Sequence, residues 1–158
     1  MANKSSNQIT KLDSDQAASG VESGGLVTSY VGRIAVAAAE ATGDVLRFVR
    51  VPLARRVVSI LEKHDAIAAG NMNLGIYRPG GGVIDADFYG GAYALTGAQG
   101  FQHRQGVGSA AEHAGKTLGE ILEELGHDIV GLTAVDIAGT LTTDPTGAGS
   151  VAVEVQTV

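Results

Sequence analysis

Hydrophobic and polar positions alternate most regularly near the end of the chain. In the segment 150–158, "SVAVEVQTV", Val151, Val153 and Val155 fall on one face of an extended strand, and small or polar residues fall on the other. Other segments are rich in β-branched and aromatic residues, which favours strands over helices. These predicted strands are 30–40, 45–51, 56–63, 73–78, 83–89 and 129–143, although the alanines of 30–40 leave a helix possible there.

One segment has the spacing of a helix. Leu118, Ile121, Leu122 and Leu125 recur at intervals of three and four residues in "KTLGEILEELG". Thr117, with Glu120 three positions later, has the spacing of a capping box, and Gly126 suits the position just past a helix end. We predict one short helix over residues 117–125.

Turn signals separate the predicted strands. "ATGD", "PGGG" and "DPTGAG" carry the glycine, proline and aspartate that tight turns need. Residues 90–108 are rich in Gly, Ala and Gln and are predicted to form a long loop, with a short strand at "AYAL". Seven or eight short strands with one helix predict a mainly β fold, an antiparallel β-sandwich of jelly-roll-like type.

The start of the chain differs from the rest. Residues 1–25 are polar and lack periodicity, so we expect an extended, flexible N-terminal arm without a core of its own. The 158-residue length suits one domain, which we assign to residues 26–158. The opening residues lack the apolar core of a secretory signal, and no apolar run has the length of a membrane span.

Composition narrows the function classes. The 11 basic and 17 acidic residues give a net charge of −6, which argues against a general nucleic-acid binder. The chain has no cysteine, which excludes disulfides and thiolate metal sites.

Two glycine-containing segments resemble phosphate-binding motifs incompletely. Gly115-Lys116-Thr117 opens the predicted helix, but Ala110 occupies the place where a P-loop needs its first glycine. "GVGSAA", residues 106–111, has the start of a dinucleotide fingerprint but follows no predicted strand, and it lacks the closing glycine of a nucleophile elbow. We interpret both as ordinary turn or helix-start sequences and expect no cofactor.

The acidic and histidine residues form no recognisable catalytic set. Asp85 and Asp87 are predicted to share one face of a strand, where a cation could bind, but the simpler interpretation is a charged, solvent-facing surface. The histidines are scattered without metal-ligand spacing and are interpreted as surface or loop residues. They are His64, His103, His113 and His127. We predict no catalytic and no metal-binding residues.

Four arginines cluster within ten residues of this acidic chain: Arg47, Arg50, Arg55 and Arg56. They are interpreted either as a solvated strand face or as a basic patch that docks on an acidic protein surface.

The layout of the whole chain resembles the capsid decoration, or cement, proteins of tailed bacteriophages. The similarity lies in the polar start "MANKSSNQITKLD", the paired strands of "GDVLRFVRVPLARRVVSILEKHD", "NLGIYRPGGGVIDADFYGG", the helix "GKTLGEILEELG" and the closing strands after Leu132. The resemblance implies a non-enzymatic β-sandwich, made in the host cytoplasm, that binds the exterior of an icosahedral head. The long glycine- and glutamine-rich stretch 97–108 departs from this pattern.

The resemblance implies the major capsid protein and further copies of this chain as partners, with no nucleic acid or membrane. A homotrimer matches threefold positions on a head, and a homodimer is the alternative. The expected capsid contacts are Ile9, Lys11, Leu12 and the four arginines Arg47, Arg50, Arg55 and Arg56. Two other functions stay open: a carbohydrate- or ligand-binding β-sandwich, lectin-like or for host attachment, and a hydrolase or metal enzyme on a jelly roll.

Overall fold

The computed structural model describes residues 3–5, 21–23, 27–104, 113 and 115–158. Within them the chain forms eleven strands and one short helix. In chain order these are β1 (Asn3–Ser5), β2 (Val21–Ser23), β3 (Val27–Val36), β4 (Val45–Pro52), β5 (Val57–His64), β6 (Asn71–Tyr77), β7 (Val83–Asp85), β8 (Tyr93–Ala94), β9 (Gln99–His103), α1 (Leu118–Glu124), β10 (Ala134–Thr143) and β11 (Gly149–Thr157).

The strands form two sheets. The first has the order β1-β4-β10-β6-β7, with β8 beside β6, and the second has the order β2-β3-β11-β5-β9. All pairs are antiparallel except the parallel pair of β1 and β4. The predicted mainly β sandwich is therefore confirmed, whereas its jelly-roll-like type stays a prediction.

The core lies between the sheets and follows the alternation of the sequence. Along β11, Val151, Val153 and Val155 are buried, and the residues between them are partly exposed, as predicted. Along β3, Ile34 and Val36 are buried, and the positions between them face solvent. Burial of one face of each strand supplies the hydrophobic stabilisation that holds the two sheets together.

Strand β4 does not alternate, because its pairing with β10 is irregular. Ile137 pairs with Val49, and the next residue, Ala138, pairs with Arg47, so that Phe48 is an extra residue on β4. Such a bulge lets neighbouring residues of one strand face the same side. Phe48 and Val49 are consequently both in the apolar core.

Helix α1 confirms the predicted helix to within a residue at each end. The Thr117 hydroxyl accepts a hydrogen bond from the Glu120 N–H at 3.3 Å, and the Glu120 carboxylate accepts one from the Thr117 N–H at 2.7 Å. Leu118, Ile121 and Leu122 are buried. No helix among the described residues has the length and apolar character needed to cross a membrane.

Two predicted elements differ from the structure. The predicted strand 83–89 ends at Asp85, because the chain there turns across Gly75, whose missing side chain leaves room for the Asp85 and Ala86 backbone. The predicted loop 90–108 contains β9, which pairs with β5 through its backbone although its residues are exposed. Backbone hydrogen bonds need no apolar side chains, so hydrophobicity gave no signal for this strand.

The predicted N-terminal arm contributes six described residues to the sheets. Asn3–Ser5 pairs with the start of β4, and Val21–Ser23 pairs with the start of β3. Both segments satisfy backbone groups at a sheet edge that would otherwise stay unpaired. The remaining residues of the predicted arm lie outside the described part of the chain.

Candidate functional site

Two of the four clustered arginines, Arg47 and Arg50, form ion pairs with Asp136 inside this chain. The Arg47 Nε donates a hydrogen bond to Asp136 Oδ2 at 2.8 Å, and the Arg50 Nε donates one to Asp136 Oδ1 at 2.7 Å. Asp136 is fully buried and Arg47 is only 4% exposed. A guanidinium buried inside the fold offers little charge to a partner, so Arg47 is a weaker candidate for a docking patch than an exposed arginine.

The bulge at Phe48 makes this shared contact possible. Residues three apart in a regular strand point to opposite faces, so Arg47 and Arg50 would normally diverge. The extra residue returns both to the same face, where Asp136 lies opposite Arg50 in the register. Two cations on one buried carboxylate make this an internal ion network.

The other two arginines lie in the turn between β4 and β5. Arg56 is exposed and Arg55 is half-buried, and within the described residues neither side chain pairs with a carboxylate. Their backbone carbonyls hold the Leu118 N–H at 2.9 Å and the Val158 N–H at 3.0 Å. These arginines remain candidates for contact with a partner. Three further candidates, Ile9, Lys11 and Leu12, lie outside the described residues.

A cluster of ionisable side chains lies inside the sandwich beside the edge of the second sheet. Glu62 and His64 face inward on β5, where Ile60 precedes them on the same face. His64 Nδ1 lies 2.7 Å from Glu62 Oε1, and since an ionised carboxylate only accepts, Nδ1 carries the proton. The other oxygen of Glu62 accepts a charge-assisted hydrogen bond from Arg104.

Two tyrosines from the side of the first sheet, Tyr89 and Tyr93, complete this cluster. The Arg104 guanidinium lies 3.8 Å from the ring centre of Tyr93, and the Tyr93 hydroxyl donates to the carbonyl of Tyr89. Burial raises the pKa of Tyr93, the Arg104 charge lowers it and the Glu62 charge raises it. Burial alone raises the pKa of Tyr89 far above its ordinary range.

This interior cluster has acid–base groups that are almost completely buried. Glu62 is fully buried and His64 is 2% exposed. A general acid or base must come within hydrogen-bond reach of the proton it transfers. Within the described residues, three buried polar atoms of this cluster have no hydrogen-bond partner: His64 Nε2, Arg104 Nε and the Tyr89 hydroxyl. The arrangement ties the edge of one sheet to the other.

The paired aspartates do not share a strand face. Asp85 ends β7, and Asp87 lies in the following turn, where its N–H donates to Asp85 Oδ1 at 3.2 Å. Asp85 Oδ2 lies 3.4 Å from His127 Nε2. Among the described residues, no group of three or more histidine, aspartate or glutamate side chains could hold a metal ion.

Only two of the four histidines differ from the surface or loop positions predicted for them, and His127 lies in a loop. His64 and His113 are buried, and His113 Nδ1 lies 3.4 Å from Glu124 Oε2. His103 is exposed near Ser59. Lys116, the lysine of the incomplete phosphate motif, pairs with Glu124 at 2.5 Å and lowers the pKa of that carboxyl.

Comparison with known proteins identifies the fold by structure alone. No protein-family model matches the chain, and no curated protein sequence matches it significantly. A chain from the capsid of Ralstonia phage GP4 superimposes with a TM-score of 0.67 at 14% identity, over 99% of this chain and 97% of that chain.

A second solved structure gives a similar result. A chain from the cyanophage Pam1 capsid asymmetric unit superimposes with a TM-score of 0.54 at 18% identity, over 89% of this chain and 90% of that chain. Because nearly the whole of each chain is aligned, all three are of similar length. The β-sandwich described above is therefore a fold that also occurs in chains of two phage capsids.

Proposed function

We propose that this protein is a virion structural protein that binds the outer surface of a tailed-phage head and stabilises it by bridging subunits of the major capsid protein. The observation that carries the proposal is the nearly full-length structural match to chains of two phage capsids. A match from end to end concerns the whole architecture, so the similarity is not confined to one common pair of strands.

The side-chain chemistry supports a binding role without catalysis. The carboxylates of Glu62 and Asp136 are both fully buried, and their ion pairs join strands. Buried, mutually paired charges make a rigid body, which suits a protein that reinforces a shell. We propose no enzymatic activity and no cofactor.

The proposal includes a homotrimer, with a homodimer as the alternative. Icosahedral heads offer threefold and quasi-threefold positions, and a trimer presents the same contacts to each of three surrounding subunits. Several weak contacts made at once give attachment much stronger than any single contact. Apart from Asn3–Ser5 and Val21–Ser23, which pair with β4 and β3 of the same chain, residues 1–25 act as an arm ordered mainly by a neighbouring subunit, while residues 26–158 form the body.

Purified protein mixed with undecorated heads tests the proposal. We expect saturable binding in co-sedimentation, and we expect decorated heads to withstand higher temperature before they release their contents. Light scattering of the free protein should give three times the 16.0 kDa mass of one chain. An absence of binding to the heads would contradict the proposed function.

A carbohydrate-binding module is the second candidate, and a groove on the outer face of the second sheet favours it. The groove encloses about 210 Å³ and is lined by Arg33, Lys63, Asp65, Phe101 and Ser150, among others. Phe101 is 50% exposed and offers an aromatic platform beside hydrogen-bonding groups. Titration with host-surface oligosaccharides, compared between the wild type and Phe101→Ala, tests this candidate.

A further inference from the structure

The groove on the outer face of the second sheet is built from side chains of four neighbouring strands. The register places Arg33 of β3 opposite Ala152 of β11, and Ala152 opposite Lys63 of β5. Phe101 of β9 follows, with its ring centre 5.9 Å from the Lys63 Nζ. Because all four residues line the same groove of about 210 Å³, they form one continuous concave surface.

One wall of the groove is held in place by hydrogen bonds. Arg33 donates from Nε at 3.1 Å and from Nη2 at 2.7 Å to the hydroxyl oxygen of Ser150. Ser150 in turn donates its hydroxyl at 2.5 Å and its N–H at 3.0 Å to Asp65. The Arg33 side chain is 70% exposed, yet these bonds orient its guanidinium before a ligand arrives. Its Nη1 makes no hydrogen bond within the described part of the chain and can donate to a ligand.

The opposite wall offers an aromatic ring and an ammonium group. Phe101 is 50% exposed, and Lys63 forms no ion pair among the described residues. The face of an aromatic ring carries partial negative charge, so it attracts cations and the C–H bonds of a sugar ring. A sugar ring that packs on Phe101 therefore has the Lys63 ammonium beside it.

The charges of the groove favour an anionic ligand. Its lining contains two cations, Arg33 and Lys63, and one carboxylate, Asp65. Hydrogen bonds from Ser150 and the charges of both cations lower the pKa of Asp65, so this carboxylate is ionised at neutral pH and offsets one cation. The lining keeps one positive charge in excess, within a chain of net charge −6.

A further carboxylate on this face is directed elsewhere. Glu154 does not line the groove, and it accepts hydrogen bonds from Ser29 at 2.8 Å and from Gln156 at 3.0 Å. Ser29 and Gln156 pair with each other on the side of Glu154 that lies away from Ala152. Glu154 therefore leaves the excess positive charge of the groove to a ligand.

We propose that this groove binds an acidic oligosaccharide through a sugar that bears a carboxylate. The inference deepens the second candidate function and rests on it. The sugar ring packs on Phe101, and its carboxylate accepts charge-assisted hydrogen bonds from Arg33 Nη1 and Lys63 Nζ. The groove is smaller than sites that enclose a drug-sized molecule, which suits a single sugar residue.

Titration calorimetry of the free protein with tetragalacturonate tests the proposal. The fully methyl-esterified tetramer is the matched neutral ligand, and tetraglutamate is an anion without a sugar ring. The groove variants are Arg33→Gln, Lys63→Gln and Phe101→Ala. The controls Arg56→Gln and Lys116→Gln each remove one positive charge outside the groove. Thermal unfolding establishes that every variant is folded.

We expect saturable binding of tetragalacturonate and about tenfold weaker binding of its methyl ester, because hydrogen bonds to a charged group are stronger than those to a neutral one. Each groove variant should bind the acid about tenfold more weakly than the wild type. Both control variants should bind as the wild type does.

The other outcomes overturn the proposal in distinguishable ways. Equal weakening by the groove and control variants would show that net charge alone governs binding. Equally tight binding of tetraglutamate would show that the groove recognises carboxylates without a sugar. Equal binding of the acid and its methyl ester, both lost in Phe101→Ala, overturns the acidic ligand and leaves a carbohydrate-binding module standing.

Failure of both tetramers to bind the wild type also overturns the proposal. The titration with host-surface oligosaccharides then decides the second candidate by itself. None of these measurements uses phage heads, so each outcome leaves the proposed decoration role to its own test.

Discussion

Glu62 and His64 lie two residues apart on β5 and meet side chain to side chain in the interior, with Glu62 Oε1 2.7 Å from His64 Nδ1. Alternate residues of a strand share a face, so the same alternation that buries Ile60 also buries these two polar groups. Arg104 reaches the second oxygen of Glu62 from the residue after β9. One carboxylate therefore fixes an edge strand to the body of the sandwich.

Substitution Glu62→Gln should destabilise the protein by about 3–5 kcal/mol, because it leaves the Arg104 charge buried without a counter-charge. Urea unfolding followed by circular dichroism measures the effect. The control Glu123→Gln alters an exposed carboxyl on α1 and should change stability by less than about 0.5 kcal/mol. Equal unfolding midpoints for Glu62→Gln and the wild type would show that the cluster does not hold β9.

Substitution Gly32→Ala should be among the most damaging changes of a single methyl group. A Cβ at Gly32 would overlap the backbone carbonyl of Phe48, which cannot move without shifting β4. We expect a loss of about 3 kcal/mol or more. Gly97→Ala is the control, since its Cβ would meet nothing within 4 Å. Similar thermal midpoints for the two variants would contradict the close packing of β3 on β4.

Stability should fall at acid pH partly through the carboxyl groups of Asp65 and Asp144. Hydrogen bonds from Ser150 lower the pKa of Asp65 below its ordinary 3.8, and hydrogen bonds from Thr42 lower that of Asp144 in the same way. A carboxyl with a lowered folded pKa stabilises fully above the ordinary value and loses that contribution as pH falls through the folded value.

The stability difference between the wild type and Asp65→Asn should accordingly be larger at pH 7 than at pH 2.5. Urea midpoints at both pH values measure this difference. Glu123→Gln, whose carboxylate makes no such hydrogen bond among the described residues, should show the same small difference at both. A pH-independent difference for Asp65→Asn argues against the hydrogen bonds from Ser150.

Limited proteolysis tests the proposed arm. In free protein we expect early cleavage within residues 1–25 and a resistant body that begins near residue 26, because the arm lacks a core of its own. On decorated heads the same sites should be protected. An arm that resists protease in the free protein as well as the body does would show that it needs no neighbouring subunit.

The sequence predicted those strands and helices whose side chains show a hydrophobic period or a helix-capping pattern. Strand β11 alternates between buried and partly exposed residues, and α1 begins with a capping box, so hydrophobic period and end signals both agree with the fold. Strand β9 was not predicted, because its residues are exposed and backbone hydrogen bonds to β5 hold it in place. The break after Asp85 depends on Gly75, a neighbour in space that the local pattern does not show.

The candidate site was predicted less well, because charge clustering along the chain does not determine which side chains face solvent. The bulge at Phe48 places Arg47 and Arg50 on one face of β4, where both bind Asp136. Arg55 and Arg56 lie in the following turn and do not share this contact. Glu62 carried a usable signal: a carboxylate two residues from Ile60 lies on the inward face of a predicted strand. A polar residue at such a position indicates a buried partner.

Cryo-electron microscopy of undecorated heads, imaged with and without added protein, tests the central claim most directly. We expect added density on the outside of the shell, with each copy of the sandwich in contact with the major capsid protein and each oligomer touching more than one subunit. A reconstruction with no added density, or with density only inside the shell, would contradict a decoration role.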